Sequence, residues 1–232
     1  MPTISFASSK GGAGKSTSAV LLATELAQHG TTVTIIDADP NPPVLRWSNK
    51  PGKPQNLTVT GGVTEETLID TIDNAARQTA FVIVDLEGTA SVMVAHAMTR
   101  SDLVLIPTKG SELDAIEAVK VIQFIARQER AYNKKIPFAV LFTQTNPVVR
   151  PRTLKSLEAD MLKQGITVLS TALHERDAYR AIFSFGGPLS ALKLDLVGNI
   201  PAAIRNTREF TAEVISMLTQ QSAAPALQAE VA

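Results

Sequence analysis

The stretch Lys10-Gly11-Gly12-Ala13-Gly14-Lys15-Ser16-Thr17 follows the apolar run Ile4-Ser5-Phe6-Ala7 and has the composition of a phosphate cradle. Glycines let successive backbone N–H groups turn toward phosphate oxygens, and a helix that starts just after them adds its positive end. Gly11, Gly12, Ala13 and Gly14 would form the cradle, Lys15 would reach the β- and γ-phosphates, and the Ser16 hydroxyl would ligate Mg²⁺. The pattern G-x-x-x-x-G-K-[ST] is met loosely, because Ser9 stands where its first glycine belongs. One lysine suffices for this work. Lys10 is therefore a surplus cation at the mouth of the loop. Both flanks suit the reading: a strand-like run precedes the loop, and residues 18–28 carry helical apolar spacing.

Acidic residues recur where apolar runs end. Ile35-Ile36-Asp37-Ala38-Asp39-Pro40 closes one run, and Phe81-Val82-Ile83-Val84-Asp85-Leu86-Glu87-Gly88 closes another. A lone aspartate at a strand end commonly caps a helix or closes a turn. Two Asp-ended strands beside a phosphate loop point instead to a metal–nucleotide site, in which the terminal carboxylate holds Mg²⁺ directly or through its water.

The elements that must position these groups alternate. Strands are predicted at residues 3–8, 32–37, 81–85, 103–107, 138–143 and 167–170, and helices at 15–28, 65–78, 113–131, 151–164, 177–183 and 207–219. This order implies an α/β fold: one domain, with a mostly parallel, twisted sheet covered by helices on both faces. Residues 40–54, rich in Pro, Asn and Gly, read as an extended surface loop carrying Trp47. Residues 1–219 form the expected domain, and the Ala/Pro/Gln-rich residues 220–232 a disordered tail. The 22 basic and 22 acidic residues balance, so whole-chain charge does not announce nucleic acid. With no cysteine, disulfides, thiolate metal sites and iron–sulfur clusters are excluded. No apolar stretch reaches transmembrane length, which sets the expected location in the cytoplasm.

The set KGGAGKST, IIDADP and FVIVDLEG resembles the deviant-Walker ATPases and, within them, the ParA family of DNA-partitioning proteins. The resemblance spans about residues 2–218 and is nearest to small plasmid ParF-like members, which begin directly at the first strand. Arg46-Trp47-Ser48 and the segment from His174 to Tyr179 are also similar to plasmid-transfer ATPases of the virulence C type. The resemblance implies ATP or ADP with Mg²⁺ as ligands. It makes Lys10 the signature lysine that crosses to the partner's ATP in a dimer, and places Thr17 near the α-phosphate. It gives Asp39 the positioning of the attacking water, Asp37 a supporting place in the metal shell, Asp85 the metal, and residues 86–89 the second switch. Thr143 and Gln144 fall where the family reads adenine. Two departures, Glu87 inside the second switch and Asn41 after Asp39-Pro40, imply slow or differently regulated hydrolysis.

The same resemblance implies an ATP-bound homodimer on non-specific DNA, stimulated by a ParB-like centromere-binding protein or another partner, in a nucleoid-associated setting. Basic candidates for the DNA surface are Arg150, Arg152, Lys155, Arg176, Arg180, Arg205 and Arg208. A membrane-cycling role would need a basic amphipathic C-terminal helix, and residues 220–232 contain no Lys or Arg. The expected output is plasmid partition or positioning. The alternatives are a DNA-transfer accessory ATPase that recruits a relaxase complex, or the positioning of a protein cargo on the nucleoid.

Overall fold

The computed structural model describes residues 1–88 and 91–229. Seven strands, β1 (Thr3–Phe6), β2 (Val33–Ala38), β3 (Leu57–Thr60), β4 (Phe81–Leu86), β5 (Leu103–Thr108), β6 (Phe138–Thr145) and β7 (Leu173–His174), form one parallel sheet in the order β3-β2-β4-β1-β5-β6-β7. The helices are α1 (Lys15–Gln28), α2 (Pro43–Ser48), α3 (Leu68–Gln78), α4 (Val92–Thr99), α5 (Glu112–Tyr132), α6 (Arg152–Lys163), α7 (Asp177–Phe185) and α8 (Ile200–Ala229).

The apolar strand runs split by the period of two. Ile35, Ile83, Leu105 and Leu141 face a core made with α1, α2, α7 and α8, whereas Ile36, Val84, Val104 and Phe142 face a second core made with α3 to α6. Side chains alternate across a strand, so a continuous apolar run is what a sheet covered on both faces requires. β1 lies between β4 and β5, and the glycine-rich loop leaves its C-terminal end, the edge where open parallel sheets hold ligands.

Three segments differ from expectation. Residues 40–54 are not an extended surface loop: they contain α2, and Trp47 is 1% exposed, with its Nε1 donating to the Gly187 carbonyl at 3.3 Å. Pro43 fits the first helical turn, and the cap comes from a distance, as described below. Residues 167–170 make only one bridge, Val168 with Val140, because the amides of Ser170 and Thr171 turn to Glu213 of α8; the seventh strand is Leu173–His174 instead. Helix α8 starts seven residues before the predicted position 207, with Pro201 tolerated in its first turn. Its backbone runs on to Ala229, into the segment whose composition predicts disorder, and residues 230–232 lie outside those described.

Candidate active site

The glycine loop is held from outside by β6. Thr143 Oγ1 donates to the Ala13 carbonyl at 2.7 Å and Gln144 Nε2 to the Gly12 carbonyl at 3.0 Å. With φ of 74° and 96°, Gly12 and Gly14 occupy the left-handed region, where a side chain would be strained. Gly14 is the N-cap of α1, whose first N–H groups lack intrahelical partners and face the loop's interior. Gly88 closes the other side: a Cβ there would sit 3.4 Å from Gly11 N and 3.6 Å from Lys15 Nζ. The segment 86–88 thus lies against the loop, and Thr89, the remaining residue of the expected second switch, is outside the described residues.

Two aspartates of similar sequence context have different surroundings. Asp37 and Asp85 are in register on β2 and β4. Asp37 Oδ2 accepts from the amides of Val44 and Leu45, both at 2.8 Å, and its Oδ1 from Asp39 N at 3.3 Å. It is the cap of α2. Burial raises its pKa, and these three amides oppose the rise. Neither Asp85 oxygen has a hydrogen-bond partner in the structure, and the residue is fully buried. Burial pushes its carboxyl up to about 7; the neighbouring Ser16 hydroxyl and Lys15 ammonium pull it down, while Asp37 and Asp39 add to the rise. A buried carboxylate without a donor needs a counter-charge, and Asp85 beside Ser16 is a donor pair suited to a hydrated Mg²⁺. Among the described residues no group of three or more His, Cys, Asp or Glu could hold a metal.

The two lysines of the loop part company. Lys15 is 7% exposed and points inward near Gly88. Lys10 is largely exposed and pairs with Asp114 on α5 at 3.0 Å. Asp114 is held below its ordinary value: burial raises it, and the Ser111 hydroxyl with Lys10 and Lys109 together outweighs that. Asp39 is half-buried at the end of β2 and accepts from Asn41 N at 2.8 Å.

A cavity of about 430 Å³ opens beside the loop, lined among others by Gly12, Thr17, Lys109, Gln144, Arg176 and Tyr179. Its size suits a nucleoside. Gln144 therefore braces the loop and lines the cavity, while Thr143 does both from the sheet's end. Two residues expected on a DNA surface, Arg176 and Arg180, line this cavity instead, and Arg180 pairs with Glu175 at 2.9 Å. Arg208 is tied to the buried Glu25 of α1 at 3.0 Å, and Arg150 to Glu158. Arg152, Lys155 and Arg205 stay exposed, with no ion pair among the described residues. Lys109, Arg176 and Tyr179 were not legible as cavity residues, because their nearness to the loop depends on sheet order.

A family model described as VirC1 protein matches residues 1–221. Protein ParA of Rhizobium radiobacter is 43% identical over 220 residues, which cover 95% of this chain and 99% of that protein. The chain belongs to the VirC1 family. Another relative, virC1 of Rhizobium rhizogenes, is 32% identical over 187 residues, 78% of this chain and 80% of that protein. An aspartate-to-alanine variant of McdA from Cyanothece, solved in complex with ATP, covers 92% of this VirC1-family chain at a TM-score of 0.75 and 16% identity, with 96% of its own chain matched. That likeness is one of fold: a single-domain parallel sheet flanked by helices on both faces.

Proposed function

We propose that this chain is an Mg²⁺-dependent ATPase whose ATP-bound form is a face-to-face homodimer that associates with non-specific DNA to partition or position plasmid DNA. The observation that carries the reading is the divergence of the loop's two lysines. Lys15 and Asp85 are buried together beneath the loop, as an in-chain phosphate and metal site requires, whereas Lys10 is exposed on the outside, where it would exchange its surface pairing with Asp114 for another subunit's phosphates. Mg²⁺, when bound, would neutralise charge on the β- and γ-phosphates from Ser16 and Asp85. Lys15 holds the same oxygens, and Asp39 orients water from the mouth of β2. Phosphoryl transfer gathers negative charge on the γ-oxygens, so a cation from the partner makes ATP part of the interface and makes hydrolysis loosen it. Slow intrinsic turnover, stimulation by a ParB-like or other partner, and a cytoplasmic, nucleoid-associated location belong to this reading. A second reading, a DNA-transfer accessory ATPase, is favoured by the VirC1 match over residues 1–221.

Sizing by light scattering with ADP and with ATP tests the proposal. Wild type should dimerise only with ATP, Lys10→Ala should stay monomeric and lose turnover, and Asp39→Ala should accumulate as the ATP dimer. An ATP-bound wild type that stays monomeric would sink the dimer, and rapid turnover in Asp39→Ala would remove that residue from orienting water.

A further inference from the structure

Three of the cations around the glycine loop are accounted for: Lys10 pairs with Asp114, Arg180 with Glu175, and Lys15 is buried beside Asp85. Arg176 packs beside the Tyr179 hydroxyl, and its buried Nε has no hydrogen-bond partner. Lys109 differs. It lines the cavity together with Gly12, Gly14 and Thr17, yet among the described residues it makes no hydrogen bond or ion pair. The acid its charge reaches, Asp114, is already committed, with one oxygen on Lys10 Nζ at 3.0 Å and the other on the Ser111 hydroxyl at 2.5 Å.

Its placement is dictated by the backbone. Lys109 directly follows β5, whose residues 104–108 are paired with β6, and Ser111 two positions on caps α5 by accepting from Asp114 N. Between them, Gly110 lets the turn lie against α6, since a Cβ there would come within 3.0 Å of Leu154 Cδ1. The side chain is half-buried, so its ammonium has given up part of its water without gaining a carboxylate. A cation in that position is complementary to an anionic ligand in the cavity.

We propose that Lys109 is a nucleotide-contacting residue that meets the α-phosphate from within the same chain, in the cavity it lines together with Thr17. This assignment rests on the nucleotide reading above and extends it. Lys15 and Lys109 would be cis cations present with ATP and ADP alike, while Lys10 is the cation exchanged between subunits. The product diphosphate then stays held after the partner's Lys10 has left.

Calorimetric titration of Lys109→Met and Lys109→Arg with ADP and with adenosine, in Mg²⁺, tests this with a ligand that lacks the γ-phosphate. Methionine keeps the apolar stem and removes the charge. It should weaken ADP binding by about tenfold, as expected for a charge-assisted hydrogen bond, and leave adenosine binding and the ligand-free unfolding temperature unchanged. Arginine should retain most of the ADP affinity. Wild-type affinity for ADP in Lys109→Met overturns the assignment, and so does an equal loss for adenosine. A wild-type chain that binds no ADP overturns the nucleotide reading itself, a result separable from either of these.

Discussion

At the scale of single residues, Asp37 and Asp85 are the instructive pair. Both end apolar strands and both are buried, so sequence pattern assigns both to a metal. What separates them is where α2 begins, because its amides arrive at Asp37, while no backbone amide reaches Asp85 and only the Ser16 hydroxyl and Lys15 ammonium lie beside it. Substitutions should therefore act in opposite directions on the ligand-free protein. Asp37→Ala strands two amides at the start of α2 and should cost about 2–3 kcal/mol. Asp85→Asn removes a buried, unpaired carboxylate and should raise the unfolding temperature at neutral pH, while abolishing Mg²⁺-dependent nucleotide binding. Thermal unfolding without metal or nucleotide reads both signs. Destabilisation by Asp85→Asn would mean that its oxygens are satisfied in the free chain. The loop itself was legible because its chemistry is local: glycines, lysine and serine are consecutive. The tasks of Asp37 and Lys109 depend on chain seven residues away or on a different strand, and no local spacing reports them.

Elements were legible where periodicity was long. The expected bounds of α1 are those observed, and the buried strands β1, β2, β4, β5 and β6 were found within two residues at each end. The short pieces α2, β3, α4 and β7 were missed, since two to eight residues show too little period, and tertiary partners decide their state. Residues 167–170 make the point. Their apolar pattern resembles a strand, yet Glu213 of α8 accepts from Ser170 N at 2.7 Å, Thr171 N at 2.8 Å and Ser170 Oγ at 2.9 Å. Burial pushes the Glu213 carboxyl up, and these amides and the hydroxyls of Thr171 and Ser170 more than reverse it, so its pKa lies below the ordinary 4.5. A carboxyl with a depressed folded pKa stabilises the fold above its unfolded value and loses that contribution as pH falls through the folded one. Glu213→Gln should lower stability by about 1 kcal/mol at neutral pH, a modest figure because solvent screens the site. The gap from wild type should be constant above about pH 5 and close below the carboxylate range. A gap that stays open at acid pH would assign the effect to packing rather than to charge.

On the scale of the whole molecule, sheet order gathers the ends of β1, β2, β4, β5 and β6 at one edge and puts the nucleotide-facing groups there. It also redistributes the basic residues. Of the seven expected on a DNA surface, Arg176 and Arg180 go to the cavity, Arg150 and Arg208 go to carboxylates, and Arg152, Lys155 and Arg205 remain. Arg152 and Lys155 lie in the first turn of α6 and Arg205 near the start of α8, and a crevice lined by Arg150, Leu154, Asn206 and Glu209 joins those two helix starts. A two-fold dimer would present the set twice. Six phosphate contacts predict a slope of roughly −5 in log affinity against log salt, a loss of about 10³-fold between 50 and 200 mM. DNA binding by the ATP-loaded protein, measured across that range, should show this slope for wild type. The variant with Arg152, Lys155 and Arg205 all changed to Ala should show little slope and little affinity. ADP binding to that variant should stay unchanged, because none of the three lines the cavity. Arg208→Ala should instead leave the slope intact and lower stability, since it strips the buried Glu25 of its cation. A steep slope surviving in the triple variant would move the DNA surface elsewhere on the dimer.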